Sequence, residues 1–204
     1  METNIFETHY DDYCSQVSGL DFSSISNTLG IEFRNNEAII PFLDKEYIVS
    51  DKGVTDASGR QPNYMVCVIL FKYLLLCPEA PNMNREWAAL KDLHKLSQSA
   101  NLSVFTSETE KPIVKKFSGR MNVLLDASQK LGGKPCSMDL SYDFAMEFKG
   151  LPQIELLLLF NDSDDDFPAT CSVLFQRQAE HYLDPESLIM TGMVFAQRLK
   201  KFST

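Results

Sequence analysis

Basic side chains are scarce in this sequence, where 19 Lys and Arg residues stand against 28 Asp and Glu residues and give a formal net charge of -9. A protein field of that sign repels the phosphate backbone of nucleic acids. The longest internal basic run is a single pair, Lys115 and Lys116. We therefore expect no nucleic-acid partner.

Apolar runs long enough to cross a membrane are missing as well. The most apolar stretch, residues 64–77, contains Lys72 and is shorter than the about 20 residues that a membrane span needs. We expect it to form a buried core helix. The first residues are acidic and polar, so no export leader is expected either.

Regularly spaced cysteines are the third absence. The five cysteines are an odd number without a repeating interval, which argues against a disulfide framework and favours a reducing compartment. Together with the missing leader, this predicts a cytoplasmic protein. A chain of 204 residues, 44% of them hydrophobic, can bury a core without a metal or disulfide, so we expect one domain over residues 1–204.

The periodicity of the apolar residues predicts both helices and strands. Helices are expected at residues 9–17, 22–29, 63–77, 85–96, 112–131 and 185–200. Strands are expected at residues 38–43, 46–49, 139–148 and 154–160, the last two joined by a turn at 149–150, with a further strand ending at 175. Residues 51–60 and 101–109 are expected to be irregular. The predicted class is α+β, an antiparallel sheet of an N-terminal strand pair and a C-terminal three-stranded meander, covered by helices.

The most informative stretch is GLPQIELLLLFNDSDDDFPATCSVLF, residues 150–175, in which two apolar runs flank four aspartates. Apolar runs of strand length require burial, whereas clustered carboxylates require water or a cation. Asp162, Asp164 and Asp166 alternate like the opening ligands of an EF-hand loop, but Phe167 stands where that loop needs glycine. An EF-hand is therefore excluded, and two alternatives remain: a looser Mg²⁺ or Ca²⁺ site, or a solvated turn between strands.

Four further side chains are candidates for a site. His94, near Trp87 in a predicted helix, could line a cleft or lie at the surface. Arg120 lies at the polar boundary of the predicted helix 112–131, where a guanidinium must reach solvent, an internal partner or an anionic ligand. Cys136 falls in a predicted loop and is the best candidate for a reactive thiol.

The final predicted helix carries a possible partner surface. Met190 and Met193 lie on its less regular face, where they either fill the core or form a groove for a protein partner or a homodimer. Gly192, between them, allows a neighbouring element to approach closely.

Several segments together resemble a known family. They are the strand pair AIIPFLDKEYIVS, the F-S-G-R helix ending in LGG, the phrase LPQIELLLLFNDSDDDFPATCSVLF, and HYLDPESL. In this order they resemble the uncharacterised prokaryotic family DUF 3786, from about residue 5 to residue 200. The resemblance implies no catalytic residues. Because some relatives carry an iron–sulfur-binding segment similar to that of corrinoid proteins, it implies a link to anaerobic one-carbon or redox metabolism, although the cysteines here lack such clustering.

Two hypotheses for function follow. The first is a binding or accessory module that acts with a protein partner or a small ligand, without a predicted cofactor. The alternative is a divalent-metal-dependent enzyme that uses Asp162, Asp164 and Asp166, with Arg120 or His94 nearby and Mg²⁺ or Ca²⁺ as the metal. An enzyme requires these groups to converge in one cleft, whereas a module leaves them dispersed.

Overall fold

The computed structural model describes residues 5–93, 102–138 and 141–203. The helices are α1 (Ile5–Ser18), α2 (Phe22–Leu29), α3 (Tyr64–Leu75), α4 (Leu102–Phe105), α5 (Lys111–Phe117), α6 (Met121–Lys130) and α7 (Pro185–Lys201). The strands are β1 (Glu32–Arg34), β2 (Glu37–Phe42), β3 (Lys45–Ser50), β4 (Gly53–Asp56), β5 (Trp87–Ala89), β6 (Lys134–Pro135), β7 (Phe144–Leu151), β8 (Ile154–Asn161) and β9 (Thr170–Gln176). None of the helices in the described ranges is long and apolar enough to cross a membrane.

Local signals set the ends of several helices as predicted. The Asp21 side chain accepts a hydrogen bond from the Ser23 backbone N–H at 3.0 Å, and Gly30 ends α2 in the left-handed conformation with φ of 67°. Asp184 caps α7 in the same way, accepting from the Ser187 N–H at 2.8 Å. The predicted helices 22–29 and 185–200 are therefore confirmed, and 9–17 lies within the longer α1.

The N-terminal strand pair is confirmed as β2 and β3, but it is part of a four-stranded antiparallel sheet in the order β1-β2-β3-β4. Pro41 is tolerated in an inner strand because β1 pairs only with residues 37–39 of β2. The expectation of a loop at residues 51–60 is wrong, since residues 53–56 form β4. Val54 pairs with Val49, and its backbone N–H donates to the Tyr10 hydroxyl of α1 at 2.9 Å.

The C-terminal meander is confirmed as β7, β8 and β9, within a second antiparallel sheet in the order β5-β9-β8-β7-β6. The class is therefore α+β, with two sheets. The predicted turn at residues 149–150 is wrong, because β7 continues through a bulge to the buried Leu151, which pairs with Ile154. The turn is made by Pro152 and Gln153. The predicted strand start at 139 is also early: β7 begins at Phe144, and residues 139–140 lie outside the described ranges.

Two predictions between the sheets are wrong. The first is the helix expected at 85–96, of which the structure describes residues 85–93. These residues form strand β5 and then a 3-10 turn, Leu90–Asp92, because the segment pairs with β9. Residues 101–109, expected to be irregular, are helical from 102 onwards. Helix α4 runs into a π-helical turn, Thr106–Glu110, and then into α5.

The helix predicted at 112–131 is two helices. It breaks between α5 and α6, where Gly119 adopts a positive φ of 69° and its backbone N–H donates to the Asp162 side chain at 2.8 Å. A left-handed residue cannot continue an α-helix, so Gly119 is the break and not a tolerated interior glycine.

Helix α7 organises the core between the remaining elements. It lies against the inner face of the five-stranded sheet, where the rings of Phe195 and Phe148 meet edge to face at 4.8 Å. The predicted inward residues of α7 are all buried: Leu188, Ile189, Phe195, Ala196 and Leu199. Gly192 does permit a close approach, by the ring of Phe105. Helix α3 is buried along most of its length, as expected for residues 64–77.

Candidate functional site

The five-stranded sheet has apolar side chains on both faces. Because alternate residues of a strand point to opposite sides, Leu156 and Leu158 of β8 face the helices, whereas Leu157 and Leu159 face the other way. Leu157 and Leu159 are buried, yet they lie outside the cluster of core side chains that packs around α7. We call this second side the outer face.

A cleft of about 410 Å³ opens on the outer face. Five apolar side chains from three strands and one loop form most of its lining, and two charged ones complete it: Trp87, Met138, Leu157, Leu159, Leu174, Arg85 and Glu86. Trp87 and Leu174 are half-buried, and the Met138 side chain is 42% exposed. The opening therefore presents apolar surface to solvent, with charge confined to the segment that precedes β5. We call it the Trp87 cleft.

Arg177 holds the strand that carries Trp87. Its guanidinium forms an ion pair with Glu86 at 2.9 Å and donates to the Asp92 carbonyl at 2.9 Å, so that it ties both ends of the β5 segment to β9. The Arg177 backbone N–H also donates to the Glu86 carbonyl. These bonds hold the backbone of the β5 segment on both sides of Trp87, whose side chain lines the cleft.

A polar row borders Trp87 on the same face. Gln176 of β9 is the cross-strand partner of Trp87 in β5, and its side chain donates to the Glu155 carboxylate at 2.7 Å. The Gln178 amide donates to the Gln176 side chain and to the Gln153 carbonyl, both at 3.0 Å. Its own side-chain oxygen is buried and has no hydrogen-bond partner in the described part of the chain. An ordered row of amides and one carboxylate therefore lies beside Trp87, outside the cleft lining itself.

The acidic segment is an exposed turn between β8 and β9, and its carboxylates bind backbone N–H groups. One oxygen of Asp162 accepts from Gly119 and Ser163, each at 2.8 Å. One oxygen of Asp164 accepts from Asp166 at 2.9 Å and from Phe167 at 2.7 Å. Across residues 5–93, 102–138 and 141–203, no group of three or more His, Cys, Asp or Glu side chains could hold a metal ion.

The remaining candidate residues are dispersed. Arg120 is exposed, and its guanidinium donates weakly to the Lys116 carbonyl at 3.4 Å. Burial, reinforced by the nearby Glu147, raises the pKa of the Cys136 thiol above its usual value, which disfavours the reactive thiolate. His94 lies outside the described residues. Of the predicted site residues within the described ranges, Trp87 alone lines the cleft; neither the three aspartates nor Arg120 does.

Sequence reasoning missed most of this lining. The signal was present in β8, where Leu156 to Leu159 are four consecutive leucines. A strand with one solvated face alternates apolar and polar residues, so an unbroken apolar run indicates burial on both faces. Met138 and Leu174 carry no comparable signal, because Met138 reaches the cleft from the loop after β6 and Leu174 through the pairing of β9 with β8 and β5.

Comparison with known proteins gives one match. The sequence model of a family described as "Domain of unknown function (DUF3786)" covers residues 21–198. No curated protein and no solved structure matches the chain.

Proposed function

The chain belongs to the DUF3786 family of domains of unknown function, and we propose that it is a binding or accessory module whose Trp87 cleft takes an apolar group. The observation that carries the proposal is the lining of the cleft, five apolar side chains around about 410 Å³. That volume lies within the range of small-molecule pockets, about 300 to 1,000 Å³. Exposed apolar surface that is concave and rigidly held is typical of a recognition site.

The expected ligand is an apolar side chain of a partner protein or the apolar part of a small molecule. Burial of one such group, of leucine or phenylalanine size, contributes about 1.5 to 3 kcal/mol. This is too little for tight binding alone, since a millimolar complex already requires about 4 kcal/mol. Arg85 in the lining supports an additional polar contact that orients the ligand, whereas Glu86 already forms an ion pair with Arg177.

Trp87 makes this proposal testable, because it is the only tryptophan in the chain. A fluorescent apolar probe such as anilinonaphthalene sulfonate should quench Trp87 as it fills the cleft. Met138→Glu should weaken the binding at least tenfold, because it adds a carboxylate to the apolar lining. Leu125→Glu is the matched control: Leu125 on α6 is 43% exposed, almost the same as Met138, but lies outside the cleft.

The comparison between these two variants decides the outcome. Equal probe affinity in Met138→Glu and wild type, with Trp87 unquenched, would remove the cleft as the site. Equal loss in Met138→Glu and Leu125→Glu would show non-specific adsorption of the probe.

We also propose that the module acts in the cytoplasm as an accessory to anaerobic corrinoid or iron–sulfur metabolism. The metabolic link rests on the family resemblance, and the compartment is supported by the five cysteines, all of which are free thiols. Affinity purification of the native protein with metal analysis tests both. A recurrent corrinoid or iron–sulfur enzyme in the eluate supports the accessory role, and a partnerless protein with stoichiometric metal opposes it.

The two other hypotheses stay predictions. The metal-dependent enzyme requires a cleft in which four side chains converge: Asp162, Asp164, Asp166 and Arg120. The Trp87 cleft contains none of them. A partner surface on α7 requires accessible methionines. Met190 and Met193 are half-buried and pack against the core, which favours the cleft as the first surface to test.

A further inference from the structure

A second recognition surface lies at the edge of the five-stranded sheet, where β9 is only partly covered by its neighbour. Strand β8 pairs with β9 from Thr170 to Phe175, but β5 pairs only with residues 174–176. Residues 170–173 of β9 therefore have a strand partner on one side alone. The helical segment that runs from α4 to α5 lies beside this open edge.

The open edge presents backbone hydrogen-bonding groups. The Arg177 N–H donates to the Glu86 carbonyl, on the β5 side, at 2.9 Å. The Val173 N–H, four residues earlier, donates to the Glu110 carboxylate of the π-helical turn at 3.3 Å. Backbone groups of alternate residues in a strand point the same way, so those of Cys171 face this side too, where they have no hydrogen-bond partner within the described ranges. Such groups are a template to which an extended chain can add as a further strand.

Glu110 stands where a neighbouring strand would pair with Val173. Its second carboxylate oxygen accepts from the Thr106 hydroxyl at 3.0 Å, which holds the side chain beside the edge. Its 3.3 Å contact with the Val173 N–H is longer than the about 2.7 to 3.2 Å that is usual for a backbone donor. Glu110 is therefore a weak cap of this N–H, and the carbonyl of an incoming strand can replace it.

Two hollows flank Glu110 and form one groove between the helical segment and the edge of β9. The first, of about 340 Å³, lies beside Thr170 and Cys171, and the second, of about 310 Å³, lies beside Ser172. Thr106 and Glu110 line both hollows, so the two are continuous. Hollows next to an open sheet edge accept alternate side chains of an added strand. We call this the β9 groove.

The charge of the β9 groove favours an acidic ligand. Three exposed lysines line it, Lys91, Lys111 and Lys115, and none of them forms an ion pair with the part of the chain that the structure describes. Glu110 is the one carboxylate among the lining residues, and none of the aspartates of the turn after β8 is among them. The groove thus carries excess positive charge in a chain with a net charge of -9.

We propose that the β9 groove binds an extended, acidic segment of a partner protein, which adds to the edge of the sheet as a further strand. Its backbone pairs with Cys171 and replaces Glu110 at Val173. Its apolar side chains enter the hollows, and its acidic side chains meet the lysines. The groove and the Trp87 cleft share no lining residue, so each of the two proposals can fail without the other.

Selection of a phage library of random peptides of about eight residues on the full chain tests the proposal, since a typical strand is shorter than such a peptide. The enriched peptides should combine acidic with apolar residues. A synthetic, fluorescently labelled copy tests the pairing by anisotropy. Methylation of one set of alternate backbone nitrogens should weaken binding about tenfold, and methylation of the other set should not, because only one set faces β9.

Variants of the protein test the same contact from the other side. Cys171→Pro removes the N–H of the open edge, where proline is tolerated, and should weaken binding about tenfold. Lys111→Glu should weaken it about threefold or more because it reverses one charge of the groove. Lys52→Glu is the matched control: Lys52 is equally exposed, in the turn between β3 and β4, and lies outside the groove.

Urea unfolding establishes that each variant is folded, and Lys111→Glu and the methylated peptides still test the groove if Cys171→Pro is not. The proposal is overturned if no peptide is enriched, if both methylated sets bind alike, or if Lys111→Glu and Lys52→Glu bind equally. Peptides that lose affinity in Met138→Glu but keep it in Lys111→Glu would belong to the Trp87 cleft and count against the groove. A wild-type dimer in sedimentation that Cys171→Pro dissociates would assign the edge to a second copy of the chain and also overturn the proposal.

Discussion

Replacing Gly192 by alanine should destabilise the protein, although the same change inside a helix ordinarily stabilises it by about 1 kcal/mol. An added Cβ would collide with the Phe105 ring and lie 3.1 Å from the Thr109 hydroxyl. Phe105 cannot swing into solvent, because it is buried and packs against Phe175 at 6.1 Å. Overpacking of this kind costs about 2 to 3 kcal/mol, so the net loss after the helix gain is about 1 to 2 kcal/mol.

The assay is urea unfolding followed by the fluorescence of Trp87. Gly192→Ala should lower the unfolding midpoint without changing the slope. The double variant Gly192→Ala with Phe105→Leu is the decisive control, since the smaller side chain relieves the collision. Its free-energy loss should be smaller than the sum of the single losses by at least about 0.5 kcal/mol. A Gly192→Ala protein as stable as wild type, or more stable, would refute the packing argument.

Three other outcomes are expected. Asp44→Asn should lower the free energy of unfolding in urea by about 2 kcal/mol. This is less than the about 3 to 5 kcal/mol for a fully buried pair, because the ion pair of Asp44 with Arg198 keeps some solvent contact. A loss below about 0.5 kcal/mol would contradict this reasoning. Gly119→Ala should lose about 1 kcal/mol because of its positive φ, whereas a gain would indicate a continuous helix. Calorimetric heats with Mg²⁺ and Ca²⁺ should not change in Asp164→Asn and Asp166→Asn, because Asp164 already accepts two backbone N–H bonds and the described ranges hold no group of three or more metal-ligating side chains; a change would favour the metal-dependent enzyme.

The sequence predicts well those structural features that depend only on contacts within a few residues. Helices α2 and α7 begin after the N-caps Asp21 and Asp184, and α2 ends at Gly30. Each of these residues bonds to a backbone group only a few residues away, so its identity alone indicates the helix boundary. The same holds for the alternating β7 and for the apolar β8. The family resemblance is confirmed over residues 21–198, and it adds no activity to these local signals.

Two of the wrong predictions have the same physical cause, which is a partner far along the chain. Trp87 belongs to a strand because Gln176 is opposite it, and without that pairing its apolar spacing also fits a helix. Gly119 is a break because Asp162, from the turn after β8, accepts its N–H. Local helix and strand propensities do not predict such contacts, because tertiary pairing outweighs a propensity difference of about 1 kcal/mol.

The candidate sites were predictable only in part. Trp87, a candidate beside His94 in a predicted helix, lines the cleft from a strand, and the aspartates that were expected to supply the chemistry lie elsewhere.

The outer face supports the proposal that the Trp87 cleft binds an apolar group. Leu157 and Leu159 are already buried in the free protein. A ligand in the cleft therefore needs to bury only the exposed parts of Trp87, Met138 and Leu174. Arg177 fixes β5 beforehand, which reduces the ordering cost of association. Beside the cleft, the Gln176 amide donates to the Glu155 carboxylate and accepts from the Gln178 amide, so these polar groups are ordered by bonds to one another before a ligand binds.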